Sequence, residues 1–340
     1  LSNNILGKIG IIGNGSWGTA LAKILTDKGI QIHWWIRNTH AMNHLKTRHN
    51  NPQYLTAVHF SPDTILPTDN LHDVVSQCDT LIVAVPSAYA QQVLESIDSN
   101  LLKDKKIVSA IKGILPESNL LLNDYLARYE WFDLQNYAAI TGPCHAEEVA
   151  QERLSYLTFS GLNDAFTGAI AEAFLSPYIY TTHNHDIWGA QFAAVLKNIY
   201  AIGAGMAHGL DYGDNFLSVY ITNCYREMYH FLEAHFDKVH PSNERPDFHT
   251  SAYLGDLLVT CYSLHSRNRM FGNMLGKGYS VKNAQLEMNM VAEGYFASRG
   301  METISVQLGI DHPIASSIYN VLWGNTPPAD MFEALAKKLS

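Results

Sequence analysis

Apolar positions change their spacing near residue 186, and the change divides the chain in two. Before it, short apolar runs have the length and composition of buried strands: Lys8–Ile12, Gln31–Ile36, Leu81–Val85, Ile107–Ile111, Ala138–Thr141, Tyr156–Phe159 and Ile179–Thr182. Helical spacing falls between them, as in Thr19–Gly29 and Tyr89–Ile97. Such alternation predicts an α/β domain with a Rossmann-like, doubly wound sheet. After residue 186 strands give way to helices, at 187–210, 215–236, 253–263, 267–275, 292–308 and 329–339. The predicted organisation is a sheet domain over 1–186 followed by an all-α domain over 187–340. Asp237–Thr250 is polar and contains Pro241 and Pro246, so it reads as a surface loop.

The first strand stops at Gly13-Asn14-Gly15-Ser16-Trp17-Gly18, and a helix follows. Strand, G-x-G-x-x-G, helix is the order of a dinucleotide-binding turn. Gly13 makes the tight turn, Gly15 lets a pyrophosphate approach the backbone, and Gly18 lets the helix pack on the strand. The helix N-terminus offers N–H groups and a positive dipole end to phosphates. An acid at the end of the second strand would bind a ribose 2′-hydroxyl. Arg37 and Asn38 stand there instead, and an arginine suits a 2′-phosphate. The expected cofactor is therefore NADP or NAD, with NADPH accepted.

The stretch from Ile187 to Leu210 carries one lysine, Lys197, between Asp186 and Asp211. On a helical wheel Ala190, Ala193, Ala194, Ala201 and Ala204 lie within about 60° of it. Phe192, Val195, Ile199, Ile202 and Met206 lie on the far side. An amine on a floor of methyl groups is desolvated, which lowers its pKa towards the range where it exchanges protons. Gln191, Lys197 and Asn198 in mid-stretch argue against a membrane span.

A net charge of −9 argues against a nucleic-acid or anionic-membrane surface. Cys78, Cys144, Cys224 and Cys261 are scattered, without C-x-x-C spacing, which fits a reducing cytoplasm and gives no zinc site. None of the histidines has H-E-x-x-H spacing, so no metal is expected. The opening residues do not have the charged-then-apolar pattern of a leader, so none is expected.

GNGSWGTALA, AVPS, AIKGI, ITGPCHAEEVA, LKNIYAIGAG, LGDLLVTCYSLHSRNRMFGNMLGKG and VAEG occur in that order. In order and spacing they resemble the NAD(P)-dependent glycerol-3-phosphate dehydrogenases over nearly the whole chain. The resemblance implies reversible reduction of dihydroxyacetone phosphate to sn-glycerol 3-phosphate, a phospholipid precursor, with a homodimer as one compatible assembly. It implies Lys197 as the catalytic lysine, with Lys112 touching cofactor and substrate. It implies substrate contacts at Gly142, Cys144, Asp256, Ser266, Arg267 and Asn268. Cofactor contacts are implied at Ser16, Trp17, Arg37, Ala146, Arg267, Val291 and Glu293, beside Gly13, Gly15 and Gly18. Three features depart from the family. Asn14 replaces an alanine, Cys144 stands where serine or threonine is commoner, and Asn223–Arg226 replaces an arginine-glycine pair.

Two other functions share parts of this pattern. A 3-hydroxyacid or 6-phosphogluconate type of dehydrogenase has the same two-part layout and a lysine, but the Ser266-Arg267-Asn268-Arg269 segment weighs against it. A dinucleotide-sensing regulator without turnover has no use for a buried lysine.

Overall fold

The computed structural model describes residues 5–239, 245–288 and 292–340. It divides into two compact units, one of Leu1–Ile111 with Leu122–Ile187, the other of Lys112–Leu121 with Trp188–Ser340. The segment Lys112–Leu121 therefore belongs with the helical part, although sequence order puts it among the strands. Its Ile114 and Leu121 are buried in the helical core, and Gly300 packs on Ile114 so closely that a Cβ would come 2.7 Å from it.

The first unit is built on eight strands in the order β3-β2-β1-β4-β5-β6-β7-β8. They are β1 (Ile9–Ile12), β2 (Ile32–Trp35), β3 (Ile65–Thr68), β4 (Thr80–Val83), β5 (Lys106–Ser109), β6 (Tyr137–Thr141), β7 (Ser155–Ser160) and β8 (Ile179–Asn184). Strands β1 to β6 run parallel, β7 runs against β6, and β8 runs parallel to β7. The expected Rossmann-like sheet followed by a helical part is what forms. Strands β1 and β4 are buried along their whole length, as a sheet covered on both faces requires.

Several elements escape the apolar pattern, among them one strand and two helices of the second unit. β3 reads Ile-Leu-Pro-Thr, and Pro67 removes a ladder donor; at the sheet edge that loss is tolerated. Val281–Glu287 and Pro313–Trp323 are helices that begin at a serine cap and at a proline in the first turn.

The core of the second unit surrounds the Ile187–Gly209 helix. It crosses the Arg267–Gly276 helix backbone to backbone. A Cβ at Gly205 would sit 2.0 Å from the Arg269 carbonyl oxygen, and one at Gly272 1.9 Å from that of Ile202. Gly209 and Gly276 repeat the contact one turn on, where a Cβ would lie 2.5 Å from Asn273 O and 2.4 Å from Met206 O. Paired glycines four residues apart on each helix make this approach sterically open. Among the described residues no helix is long and apolar enough to cross a membrane.

Candidate active site

The glycine turn leaves β1 at its C-terminal end. Gly13 has φ +114°, and a Cβ there would meet Ala84 O at 2.8 Å. Its carbonyl accepts the Trp34 indole N–H at 2.9 Å. A Cβ at Gly18 would lie 2.4 Å from Gly13 O, so the third glycine is required for the helix to pack. Gly15 differs, because nothing of the protein lies within 4 Å of the position its Cβ would take. Packing does not explain that glycine, and the open space leaves its backbone accessible to a group approaching from outside. Gly15 caps the Ser16–Asp27 helix without any side-chain cap, and the first turn holds no acid. The turn thus fits the pyrophosphate of a dinucleotide. Ser16 is buried and Trp17 half-buried in that turn.

The loop is held by a residue that spacing does not single out. Asn51, 2% exposed, donates to Asn14 O and to Thr19 Oγ1, both at 2.9 Å. Only the backbone of Asn14 is used, so the exchange of alanine for asparagine leaves these bonds intact.

β1, β2, β4, β5 and β6 are parallel, so the segments that follow them emerge at one sheet edge. Arg37 follows β2, is exposed, and lies over the Tyr89 ring with Cζ 5.7 Å from its centroid. Asn38 is spent on its own helix, where Oδ1 accepts from Ala41 N at 3.0 Å. Gly142 follows β6 with φ +107°, and a Cβ there would meet Tyr156 O at 2.8 Å. Cys144 and Ala146 are packed into the apolar core of the first unit.

The second unit gathers the charged groups. Lys197 is 4% exposed and donates from Nζ to Oδ1 of Asp256, itself 1% exposed. Asp256 opens the Asp256–Tyr262 helix after one turn of π-helix at Ser251–Gly255. Burial lowers the pKa of Lys197 to about 8; the Asp256 carboxylate opposes the shift and the Lys112 charge adds to it. Asp256 Oδ2 is buried and has no hydrogen-bond partner. An unmet buried acceptor costs about 1–3 kcal/mol, so it marks a place where an incoming donor is favoured.

A chain of amides ties the surrounding segments together. Gly294 N donates to Asn268 Oδ1 at 2.9 Å, Asn268 Nδ2 to Asn198 Oδ1 at 2.9 Å, and Asn198 Nδ2 to Lys112 O at 3.0 Å. Lys112 is therefore brought to the Lys197 helix by its backbone. It lies just beyond β5 in the sequence, yet belongs with the helical unit. Asn198 is a site residue that the sequence marks only by its place beside Lys197 in an otherwise apolar stretch.

Ser266 caps the Arg267–Gly276 helix, accepting from Arg269 N at 3.3 Å. Arg267 begins that helix and Glu293 begins Glu293–Leu308; both are half-buried. Val291 lies outside the described residues. Among the described residues no group of three or more histidine, cysteine, aspartate or glutamate side chains is placed to hold a metal ion.

Residues 8–167 match the family described as NAD-dependent glycerol-3-phosphate dehydrogenase N-terminus, and 186–333 its C-terminus. A Syntrophomonas wolfei protein named glycerol-3-phosphate dehydrogenase (NAD(P)+) is 33% identical over 97% of this chain and 95% of its own length. The crystal structure of a Coxiella burnetii glycerol-3-phosphate dehydrogenase is 26% identical and superposes with a TM-score of 0.88, covering 98% of this chain and 99% of that one. A 3-hydroxyisobutyrate dehydrogenase from Salmonella typhimurium superposes with a TM-score of 0.51 at 16% identity, covering 93% and 92%, a likeness of fold alone.

Proposed function

Because the chain belongs to the NAD-dependent glycerol-3-phosphate dehydrogenase family, an oxidoreductase family, we propose that it interconverts dihydroxyacetone phosphate and sn-glycerol 3-phosphate, with Lys197 as general acid and base. The observation that carries this reading is the buried lysine bonded to one carboxylate and under the influence of a second lysine's charge, with its pKa lowered to about 8. A dihydronicotinamide, when bound, would supply the hydride that the carbonyl carbon takes up. The carbonyl oxygen then needs one proton, which the Lys197 ammonium gives; in the reverse direction the neutral amine takes the hydroxyl proton. Asp256 keeps Nζ oriented through Oδ1, and its unpartnered Oδ2 accepts from a substrate hydroxyl. Lys112 favours the neutral amine and attracts the developing oxyanion.

The phosphate is held by Arg267, whose guanidinium matches its oxygens, beside the Ser266 hydroxyl. Asn268 spends Oδ1 and one N–H on its neighbours and has a second N–H to offer. Gly142 and Cys144 remain substrate contacts in this reading. Gly13, Gly15, Ser16, Trp17, Gly18 and Ala146 serve the dinucleotide, with Val291 and Glu293. Arg37 takes the 2′-phosphate of NADPH. The product feeds phospholipid synthesis, and four buried free thiols suit the reducing cytoplasm.

The test is absorbance at the dihydronicotinamide band with NADPH and dihydroxyacetone phosphate. Turnover supports the reading. Turnover of NADP with a 3-hydroxyacid or 6-phosphogluconate instead would move it to those dehydrogenases. Cofactor binding without turnover of any of them would make it a sensor.

A further inference from the structure

We propose that Glu227 is a positioning residue for the reaction, fixing through Tyr200 the roll of the helix that carries Lys197. The inference rests on the reading of Lys197 given above.

Glu227 lies on the Asp214–Val239 helix and is 7% exposed. Its two oxygens meet three donors. Oε1 accepts from the Tyr200 hydroxyl at 3.0 Å and from Ala315 N at 2.9 Å, and Oε2 accepts from Ile314 N at 2.6 Å. Ile314 and Ala315 follow Pro313 at the start of the Pro313–Trp323 helix, which has no side-chain cap from His312. Glu227 thus caps that helix from another one, and the positive helix end favours its charged form. Burial pushes its pKa up to about 7, and the three donors oppose the shift. A neutral acid would have to turn an O–H towards one of those donors, so only the carboxylate satisfies them all.

Tyr200 follows Lys197 by three residues and shares its side of the helix. It is fully buried, and its carbonyl accepts from the Tyr220 hydroxyl at 3.0 Å. Next to it, a Cβ at Gly203 would lie 2.0 Å from that same hydroxyl. Two tyrosine hydroxyls therefore clamp one turn of the Lys197 helix to the Glu227 helix. Apolar burial is non-directional, whereas hydrogen bonds are directional, so this clamp adds to the Asn198 bonds and the glycine crossing in setting the roll of the helix. Burial chiefly sets the proton affinity of Lys197, and the charges that adjust it are those of Asp256, Lys112 and Cys261. Glu227 therefore acts on where the amine points, not on when it titrates.

Tyr200→Phe deletes the clamp's donor and keeps its ring. Its kcat should fall about tenfold, within the ~10²-fold range that small misplacements cost. The KM for NADPH and the midpoint of the Lys197 pH limb should stay unchanged. Glu227→Gln should lower kcat in the same way, because its amide must face a backbone donor, and Glu227→Asp should recover part of the loss. Wild-type kcat in both Tyr200→Phe and Glu227→Gln, with only a lowered Tm, would overturn the inference. Lys197→Ala is run alongside. If it keeps activity, the lysine reading fails and this inference falls with it; if it is inactive while Tyr200→Phe is not, only this inference fails.

Discussion

Lys23 and Lys197 are both buried lysines, 7% and 4% exposed, and they are tuned in opposite directions. Lys23, in the first unit, reaches Asp27 at 2.5 Å and Glu152 at 3.0 Å. Burial alone would lower its pKa, but two carboxylates outweigh burial and the pKa is raised. Lys197 has one carboxylate, and the Lys112 charge works against it, so burial wins and the pKa falls to about 8. Partner solvation also differs: the Glu152 side chain is 61% exposed, that of Asp256 2%. Burial by itself does not make a lysine reactive. Lys197 is the more deeply buried of the two, and depth of burial together with the balance of charges decides whether a lysine is a fixed ion or a proton carrier.

Four substitutions sharpen or break this contrast. Lys197→Ala should fold and bind NADPH yet lose kcat by ~10²–10⁴-fold, the usual contribution of an acid–base group. Retention of more than about a tenth of kcat would mean that another group moves the proton. Arg267→Ala should weaken dihydroxyacetone phosphate strongly and unphosphorylated dihydroxyacetone little, since only the former brings a dianion. Equal weakening of both, with NADPH affinity measured in parallel, would make this arginine structural or a cofactor ligand. Arg37→Ala should raise the KM for NADPH and leave that for NADH nearly unchanged; an equal rise would remove Arg37 from cofactor choice. Lys23→Met should have the smallest effect. Its carboxylate partners are at least partly solvated, so denaturant unfolding should shift by no more than about 1 kcal/mol. Its kcat should not change, and a large loss of kcat would show that burial matters more than the charge balance.

The sheet and the glycine turn were legible because their signals are local. Strand-length apolar runs and glycines at fixed spacing need no tertiary information. Lys197 was legible for the same reason, as one charge among alanines on a helical wheel. Contacts that depend on the fold were not. Lys112 follows a strand of the first unit but packs with the second, and no spacing announces that. The amide chain from Gly294 through Asn268 and Asn198 joins four segments far apart in sequence. Asn51 and Glu227 are ordinary polar residues until packing buries them. The helix crossing at Gly205, Gly209, Gly272 and Gly276 left a trace, glycine pairs at matching spacing, that could have predicted a close approach.

The central claim, that Lys197 carries the proton because its pKa is lowered, is tested most directly by the pH dependence of kcat in both directions. Reduction needs the ammonium, so its kcat should fall as pH rises through about 8. Oxidation needs the neutral amine, so its kcat should rise through the same range. Both limbs should vanish from the residual activity of Lys197→Ala. Profiles without a limb near 8, or limbs that persist in Lys197→Ala, would contradict the account.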